Sequence, residues 1–207
     1  MRIVTVSGTC SEVGKTTLVC ELLTRLPGWA AIKVTRGHYR SCGRDPDTCC
    51  VSGLLGDEPR VFSDRADTDV AAKDTGRYWA AGAADVRWVV VARGQEAEGI
   101  ARALAELREH AGVIVEGNRV VESLDPDLAV MVALSGQKEI KVSARRIVGR
   151  VHGLYVPEGN GVGARDAAAL VGAEGPWELP VWGPEDLDRI AAGLREDPAA
   201  ASTPAGV

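Results

Sequence analysis

The segment that most constrains the fold of this chain is a short loop near its N-terminus. An apolar run over residues 3–6 precedes the loop, and Gly14, Lys15 and Thr16 open a stretch with apolar residues on one helical face. A strand, a glycine-bearing loop and a helix that begins with Gly-Lys-Thr are the context that a P-loop requires, in which backbone N–H groups and the helix dipole face phosphate oxygens. We therefore predict that a nucleoside triphosphate binds here, at Gly8, Thr9, Glu12, Val13, Gly14, Lys15, Thr16 and Thr17.

The residue types in this loop suit that chemistry. Lys15 can reach the β- and γ-phosphates as a point charge, and the Thr16 hydroxyl can serve as a ligand of Mg²⁺. Gly14 has no Cβ, so the backbone can approach the phosphates closely. Gly8 and Gly14 are separated by five residues, whereas the usual motif has four, and Thr9 stands in the place of the first glycine.

The rest of the chain alternates between apolar, β-branched runs and helix-like stretches. Residues 30–34 and 87–91 are strand candidates, and residues 112–116 and 128–132 form continuous apolar runs, which are typical of strands covered on both faces. This alternation predicts a three-layer α/β P-loop NTPase domain with a mainly parallel central sheet over residues 1–195. Residues 196–207 are rich in Ala, Pro, Ser and Thr and are predicted to form a disordered tail.

Four further segments carry predictions of local structure. Residues 70–84 and 95–110 are predicted to be helical, and residues 148–156 to form a strand. Residues 36–60 are rich in Gly, Asp, Cys and Arg, which predicts a long functional loop instead of a packed element.

Composition and charge exclude several classes of function. The net charge of -5 and the lack of a Lys/Arg run argue against a nucleic-acid-binding protein. No apolar stretch approaches the roughly 20 residues that a membrane span needs, and the first residues do not resemble a secretory leader. Five cysteines, an odd number, favour free thiols or metal ligands over a disulfide framework. We expect a protein of the cytoplasm that does not bind membranes.

The loop resembles that of dethiobiotin synthetases and related amidoligases, in the nucleotidase class that includes signal-recognition and MinD-type proteins. The shared pattern is Gly-Thr-x-x-Glu-Val-Gly-Lys-Thr, followed later by Val115-Glu116-Gly117 at the end of an apolar run. The resemblance implies that the Glu116 carboxylate lies near Mg²⁺, and a carboxylate at the end of a buried strand needs a cation or a hydrogen-bond donor. The alternative is a solvated loop glutamate.

Residues 1–120 also resemble the molybdopterin-guanine dinucleotide biosynthesis protein B family. The segments that carry this resemblance are the loop, Ile32-Lys33, Lys73-Asp74-Thr75-Gly76-Arg77 with the following Ala81-Gly82-Ala83, and Glu116-Gly117. The resemblance implies a slow, Mg²⁺-dependent GTP or ATP hydrolase that assists molybdenum cofactor assembly. It also implies a molybdopterin-handling protein as partner and a homodimer. Asn118 departs from the family pattern, and no guanine-selecting Asn-Lys-x-Asp motif is visible.

The resemblances assign further residues. Lys73, Asp74 and Arg77 would contact phosphate or form a nucleotide-sensing switch, although a solvated helix face is the alternative. Lys33 would lie beside the phosphates or the substrate, so that Lys15, Lys33 and Glu116 form the candidate catalytic set. Asp45 or Asp47 would help to coordinate Mg²⁺.

Residues 38–50 also contain a possible transition-metal site. His38, Cys42, Cys49 and Cys50 offer an imidazole and thiolates, which could hold Zn²⁺ or another transition metal. The spacing is not one of the strong zinc patterns, and buried or inert thiols are the alternative.

The sequence is compatible with three functions. The first is the slow triphosphate hydrolase of the molybdopterin-related type. The second is an ATP-dependent enzyme of the dethiobiotin-synthetase type that phosphorylates a small carboxylate. The third is a metal-binding adaptor in which the cysteine loop is the working part.

Overall fold

The computed structural model describes residues 1–37, 51–137, 139–158 and 179–196. Within them the strands form one eight-stranded sheet in the order β3-β4-β2-β5-β1-β6-β7-β8. All neighbouring strands are parallel except β3, which runs antiparallel to β4 at the edge. The strands are β1 (Arg2–Gly8), β2 (Ala30–Arg36), β3 (Arg60–Phe62), β4 (Val86–Val91), β5 (Gly112–Glu116), β6 (Leu128–Val132), β7 (Gly153–Tyr155) and β8 (Val181–Trp182).

Helices cover both faces of this sheet. They are α1 (Lys15–Arg25), α2 (Arg65–Thr68), α3 (Asp74–Ala80), α4 (Glu96–Glu106), α5 (Val142–Arg145) and α6 (Leu187–Arg195). On one face, residues such as Leu22 of α1, Tyr78 of α3 and Leu187 of α6 share a core with β1 and β6. On the other face, Ile100 of α4 packs against β2, β4 and β5, and Ala144 of α5 packs against β6 and β7. The predicted three-layer α/β class with a mainly parallel sheet is confirmed.

The strand order places the ends of β1, β5 and β2 side by side. β5 lies between the other two strands, with Val6 of β1 opposite Glu116 and Lys33 of β2 opposite the same residue. Parallel strands end at the same edge of the sheet, so three segments that are distant in sequence meet there. This edge is where ligands bind in open α/β sheets.

Some predicted elements have different bounds in the structure. The predicted helix over residues 70–84 is a short helix, α3, because Ala72 has a left-handed backbone (φ 65°) that interrupts any helix before it. The strand predicted over residues 148–156 is reduced to β7, because a 3-10 turn at Val148–Arg150 precedes it.

The predicted helix at residues 95–110 ends earlier, at Glu106. The long loop predicted over residues 36–60 ends in the edge strand β3, where Phe62 stacks on Trp88 with ring centroids 4.9 Å apart. Of the predicted tail, only Glu196 lies among the described residues. In the described part of the chain, no helix combines the length and apolar character needed to cross a membrane.

Candidate functional site

The loop between β1 and α1 is shaped by close backbone packing. Gly14 precedes α1 with a left-handed backbone (φ 96°), which glycine adopts without strain. At Gly8 the reason for glycine is space, since a Cβ there would lie 2.6 Å from Cγ2 of Val13. The Gly8 amide donates a hydrogen bond to Oδ1 of Asn118, 3.1 Å away. The loop is therefore fixed both to its own helix and to the segment after β5.

Other loop residues divide between packing and exposure. Val13 is buried in the core, and the buried Thr9 hydroxyl lies 2.7 Å from Oε1 of Gln137. Glu12 is exposed and has a left-handed backbone (φ 62°). Thr17 is also exposed, and its hydroxyl accepts a hydrogen bond of 3.1 Å from Nη2 of Arg77.

Lys15 is partly buried at the start of α1, and its ammonium contacts the preceding loop. Its Nζ donates to the carbonyl oxygen of Cys10 at 3.2 Å. Burial lowers the pKa of Lys15, and the positive charges of Lys33 and Lys141 lower it further, while Glu116 opposes the change. A buried ammonium that sits among other cations is suited to receive an anion.

A buried carboxylate, that of Glu116, lies beside the loop at the end of β5. The Glu116 residue is only 1% exposed. Its Oε2 accepts a hydrogen bond from the hydroxyl of Tyr78 and lies 2.9 Å from the Thr16 hydroxyl, and its Oε1 pairs with Nζ of Lys33. Asp74 joins the same group, with Oδ2 at 2.6 Å from Nζ of Lys33 and Oδ1 at 3.1 Å from the Thr16 hydroxyl. The two carboxylates therefore converge on one ammonium and one hydroxyl.

The pKa values of these groups follow from this arrangement. Burial acts to lower the pKa of Lys33, but the attraction of Glu116 and the hydrogen bonds to Asp74 and Glu116 outweigh it, so the pKa is raised. Burial acts to raise the pKa of Asp74, yet the hydrogen bond from Lys33 leaves it lowered. Burial and the neighbouring Glu116 carboxylate raise the pKa of Tyr78 well above its ordinary value. The group is therefore an ion network with Lys33 charged and Tyr78 as a neutral donor.

The same group fits a hard divalent cation. Mg²⁺ in nucleotide sites takes oxygen ligands, usually one or two carboxylates with phosphate oxygens. Glu116, Asp74 and the Thr16 hydroxyl supply such oxygens, and Lys33 shows that the two carboxylates already share a cation.

Of the predicted residues at the start of α3, only some contact this site. Asp74 contacts Thr16, and Arg77 contacts Thr17. Lys73 is exposed and lines a second cleft, which Asp74 and Lys33 also line. Among the described residues, Lys73 makes no hydrogen bond to the start of α1, whereas Asp74 and Arg77 do.

The remaining predicted residues lie outside the described part of the chain. These are His38, Cys42, Asp45, Asp47, Cys49 and Cys50. Among the described residues, no three or more His, Cys, Asp or Glu side chains gather as metal ligands. The transition-metal site and the Asp45 and Asp47 contributions to Mg²⁺ stay predictions.

Three residues of the site were not assigned from sequence. Tyr78 directly follows the segment of residues 73–77, and helical spacing from Asp74 could have placed it on the same side of α3. Asn118 was noted only as a departure from a family pattern. Lys141 belongs to no motif, yet its Nζ lies 2.6 Å from Oγ of Ser11 in the loop.

A cleft of about 540 Å³ opens along this edge of the sheet. One end is formed by the loop, at Cys10, Ser11, Lys15 and Lys141. The cleft is also lined by Lys33 and Glu116 and by the group Arg36, Glu96 and Arg119. The cleft thus extends from the loop across the ends of β5 and β2.

The chain has a partial likeness to solved structures. No protein-family model and no curated protein sequence matches this chain. The chain is similar to LpxK from Aquifex aeolicus, crystallised in complex with ATP, at 15% identity and a TM-score of 0.44. The alignment covers 75% of this chain and 48% of that chain, so this chain spans about half the length of the LpxK chain.

Proposed function

We propose that the protein binds a Mg²⁺ complex of GTP or ATP at the loop between β1 and α1 and hydrolyses it slowly. The observation that carries this proposal is the contact of the Thr16 hydroxyl with Glu116, directly after Gly14 and Lys15. A hydroxyl at the second position of the helix, in contact with a buried carboxylate from a neighbouring strand, is the arrangement that serves Mg²⁺ in P-loop proteins.

The loop residues would hold the phosphates. The N–H groups at the start of α1 point toward the loop, where the helix dipole favours negative charge. Lys15 would exchange its bond to the Cys10 carbonyl for phosphate oxygens. A bound triphosphate would favour the charged form of Lys15, whose pKa burial lowers in the free protein.

Thr16, Glu116 and Asp74 would hold Mg²⁺, which neutralises charge on the β- and γ-phosphates when bound. Asp45 and Asp47 remain proposed as further ligands. Because Lys33 shares both carboxylates in the free protein, an incoming cation competes with its ammonium. Released from Glu116, Lys33 would be available to the γ-phosphate.

Turnover would be slow because both described carboxylates of the site are already engaged. In the Mg²⁺-bound state Glu116 and Asp74 would be ligands of the cation beside Thr16, which leaves neither free to take a proton from an attacking water. A slow hydrolase of this kind fits an accessory role in cofactor assembly, similar to the molybdopterin-guanine dinucleotide biosynthesis protein B family. Its partner would be a protein that handles molybdopterin.

A thermal-shift comparison of GTP and ATP, each with and without Mg²⁺, tests the central claim. The melting temperature should rise with one or both triphosphates, and rise further when Mg²⁺ is added. Slow phosphate release without any second substrate should accompany binding. If neither triphosphate raises the melting temperature of the wild-type protein, the proposal is wrong.

A second function is favoured by the lining of the cleft. The cleft continues past Lys15 and Glu116 to Arg36 and Arg119, which provides room beside the terminal phosphate. An ATP-dependent enzyme of the dethiobiotin-synthetase type, which phosphorylates a carboxylate or carbamate, would use such space. Rapid turnover that begins only when a small carboxylate is added would favour this function over slow hydrolysis.

A further inference from the structure

The lining of the cleft includes two arginines that each lie 3.6 Å from the carboxylate of one buried glutamate. Arg36 is the last residue of β2, Glu96 is the first residue of α4, and Arg119 follows shortly after β5. All three line the cleft that begins at Lys15. Three separate elements thus bring ionic side chains to one place that the proposed triphosphate site does not use.

The buried carboxylate of Glu96 interacts with both arginines. The residue is 8% exposed, and its Oε2 accepts a hydrogen bond of 2.7 Å from the Gly94 amide. Its Oε1 lies 3.6 Å from Nε of Arg36 and 3.6 Å from Nη1 of Arg119. These separations exceed hydrogen-bond distance, so Glu96 attracts both guanidinium groups without taking up their N–H donors.

The two arginines differ in how firmly they are held. Arg119 is fixed by Nε, which donates to Oε2 of Glu122 at 2.5 Å. For the Arg36 guanidinium, the described part of the chain provides no hydrogen-bond acceptor, and its Nε is buried without one. The Arg36 side chain is nevertheless 29% exposed toward the cleft. As far as the described residues go, its terminal N–H donors are therefore available to a ligand that enters the cleft.

The charges along the cleft point to an anion. The chain carries a net charge of -5, yet the cleft is lined by five Lys or Arg side chains and two Glu. Lys15 and Lys141 lie at the loop, and Lys33 is paired with Glu116 and Asp74. Planar guanidinium groups bind carboxylate and phosphate oxygens in a fork, which makes Arg36 and Arg119 a suitable pair for an acidic group.

We infer that Arg36 and Arg119 bind the acidic group of a second, small-molecule ligand, a carboxylate or a phosphate, beside the triphosphate. The inference rests on the proposed function only in taking the loop end of the cleft as the triphosphate position. Glu96 is a positioning residue, because the attraction of its carboxylate orients the two guanidinium groups. The ligand would span from the arginines toward Lys33.

Titration calorimetry with two probes tests the inference and separates the two kinds of acidic group. Succinate supplies carboxylates, and glycerol 3-phosphate supplies a phosphate monoester. Each probe is titrated into wild-type protein saturated with Mg²⁺ and a non-hydrolysable ATP analogue, and also into Lys15→Met without nucleotide. The second arm measures the arginine site when the loop cannot hold a triphosphate.

At least one probe should bind in both arms, and Arg36→Gln and Arg119→Gln should each weaken that binding by about tenfold, as expected for the loss of charged hydrogen bonds. Arg102→Gln is the matched control, because Arg102 is an exposed arginine of α4 paired with Glu58 and Glu98. The side-chain Nε–H resonance of Arg36 in the wild-type protein should shift on titration. This measurement does not depend on the folding of any variant.

Three results would overturn the inference. One is that neither probe binds in either arm. Another is that binding persists in both arginine variants, which places the anion elsewhere. The third is an equal fall of triphosphate affinity and probe affinity in Arg36→Gln, which assigns the arginines to the triphosphate. Failure of the wild-type protein to bind the ATP analogue would count against the proposed function alone, since the Lys15→Met arm still reports on the arginines.

Discussion

The Thr16 hydroxyl lies 2.9 Å from Oε2 of Glu116, which links the first turn of α1 to the end of β5. The same carboxylate accepts a hydrogen bond from Tyr78 and pairs with Lys33. One buried carboxylate therefore connects two strands and two helices. Changes at this residue should affect both stability and Mg²⁺-dependent binding.

Glu116→Gln should reduce both properties. The substitution leaves the ammonium of Lys33, 18% exposed, with Asp74 as its remaining partner, so the free energy of unfolding should fall by about 2–4 kcal/mol. The increase in triphosphate affinity on adding Mg²⁺ should fall by about tenfold or more, because a carboxylate ligand is lost. Urea unfolding and calorimetry measure the two effects. An undiminished Mg²⁺ effect would remove Glu116 from the proposed cation site.

Tyr78→Phe isolates one hydrogen bond of this network. The Tyr78 side chain is fully buried, and its hydroxyl donates to Glu116. Its loss should lower the free energy of unfolding by about 1–3 kcal/mol, since a buried carboxylate loses a donor. Tyr155→Phe is the control, because Tyr155 is also buried but its hydroxyl has no hydrogen-bond partner in the described part of the chain, and its change should stay within about 0.5 kcal/mol. Equal losses in the two variants would show that the Tyr78 contact contributes little.

Lys15→Met should separate stability from binding. The pKa of Lys15 is lowered from 10.5 by burial, so the charged form is less favourable in the folded state than in the unfolded state. This cost is fully present below the folded pKa and disappears above 10.5, where both states are neutral. At pH 7 the free Lys15→Met protein should therefore melt at or above the wild-type temperature, and the difference should shrink as the pH approaches 10.5.

Triphosphate binding should be lost in the same variant, because the cation that faces the phosphates is gone. Differential scanning calorimetry over pH, with and without nucleotide, measures both effects. A variant that melts well below the wild type at pH 7 would contradict the stability argument. Retained triphosphate affinity would contradict the assignment of the loop.

Gly8→Ala should distort the loop by close contact. The added Cβ would lie 2.6 Å from Cγ2 of Val13 and 2.9 Å from Cγ of Lys15, so the loop or the helix start must move. We expect a loss of about 1–3 kcal/mol in stability and a marked loss of triphosphate affinity. Gly193→Ala in α6 is the control, since no atom lies within 4 Å of its added Cβ. Unchanged nucleotide affinity in Gly8→Ala would contradict the proposed role of the loop.

Local patterns made the fold class and part of the site predictable. Gly14, Lys15 and Thr16 are consecutive, and the apolar run ending at Glu116 indicates by itself a buried strand with a carboxylate at its end. The shortness of α3 was not predictable in this way. It depends on the left-handed backbone of Ala72, a residue type that rarely adopts it, and on Gly76, whose added Cβ would lie 2.2 Å from the Val70 carbonyl oxygen.

The partners within the site depend on strand order, which local patterns do not determine. Lys33 and Glu116 are neighbours because β5 lies beside β2, although β4 also borders β2. The grouping of Arg36, Glu96 and Arg119 needs the same order together with the position of α4. Charges that come from separate elements become a site only when the tertiary arrangement is known.

The insertion of β5 between β1 and β2 has a consequence for synthesis of the chain. β1, the loop, α1 and β2 leave the ribosome first, but the strand that joins β1 to β2 is completed only at residue 116. Until then Lys33 lacks its carboxylate neighbour on β5, and the Thr16 hydroxyl lacks Glu116. A nascent chain that ends before residue 116 contains the loop between β1 and α1 but lacks the proposed Mg²⁺ site. The ability to bind a Mg²⁺–triphosphate should therefore arise abruptly, when the central strand is inserted, and not gradually as the loop emerges.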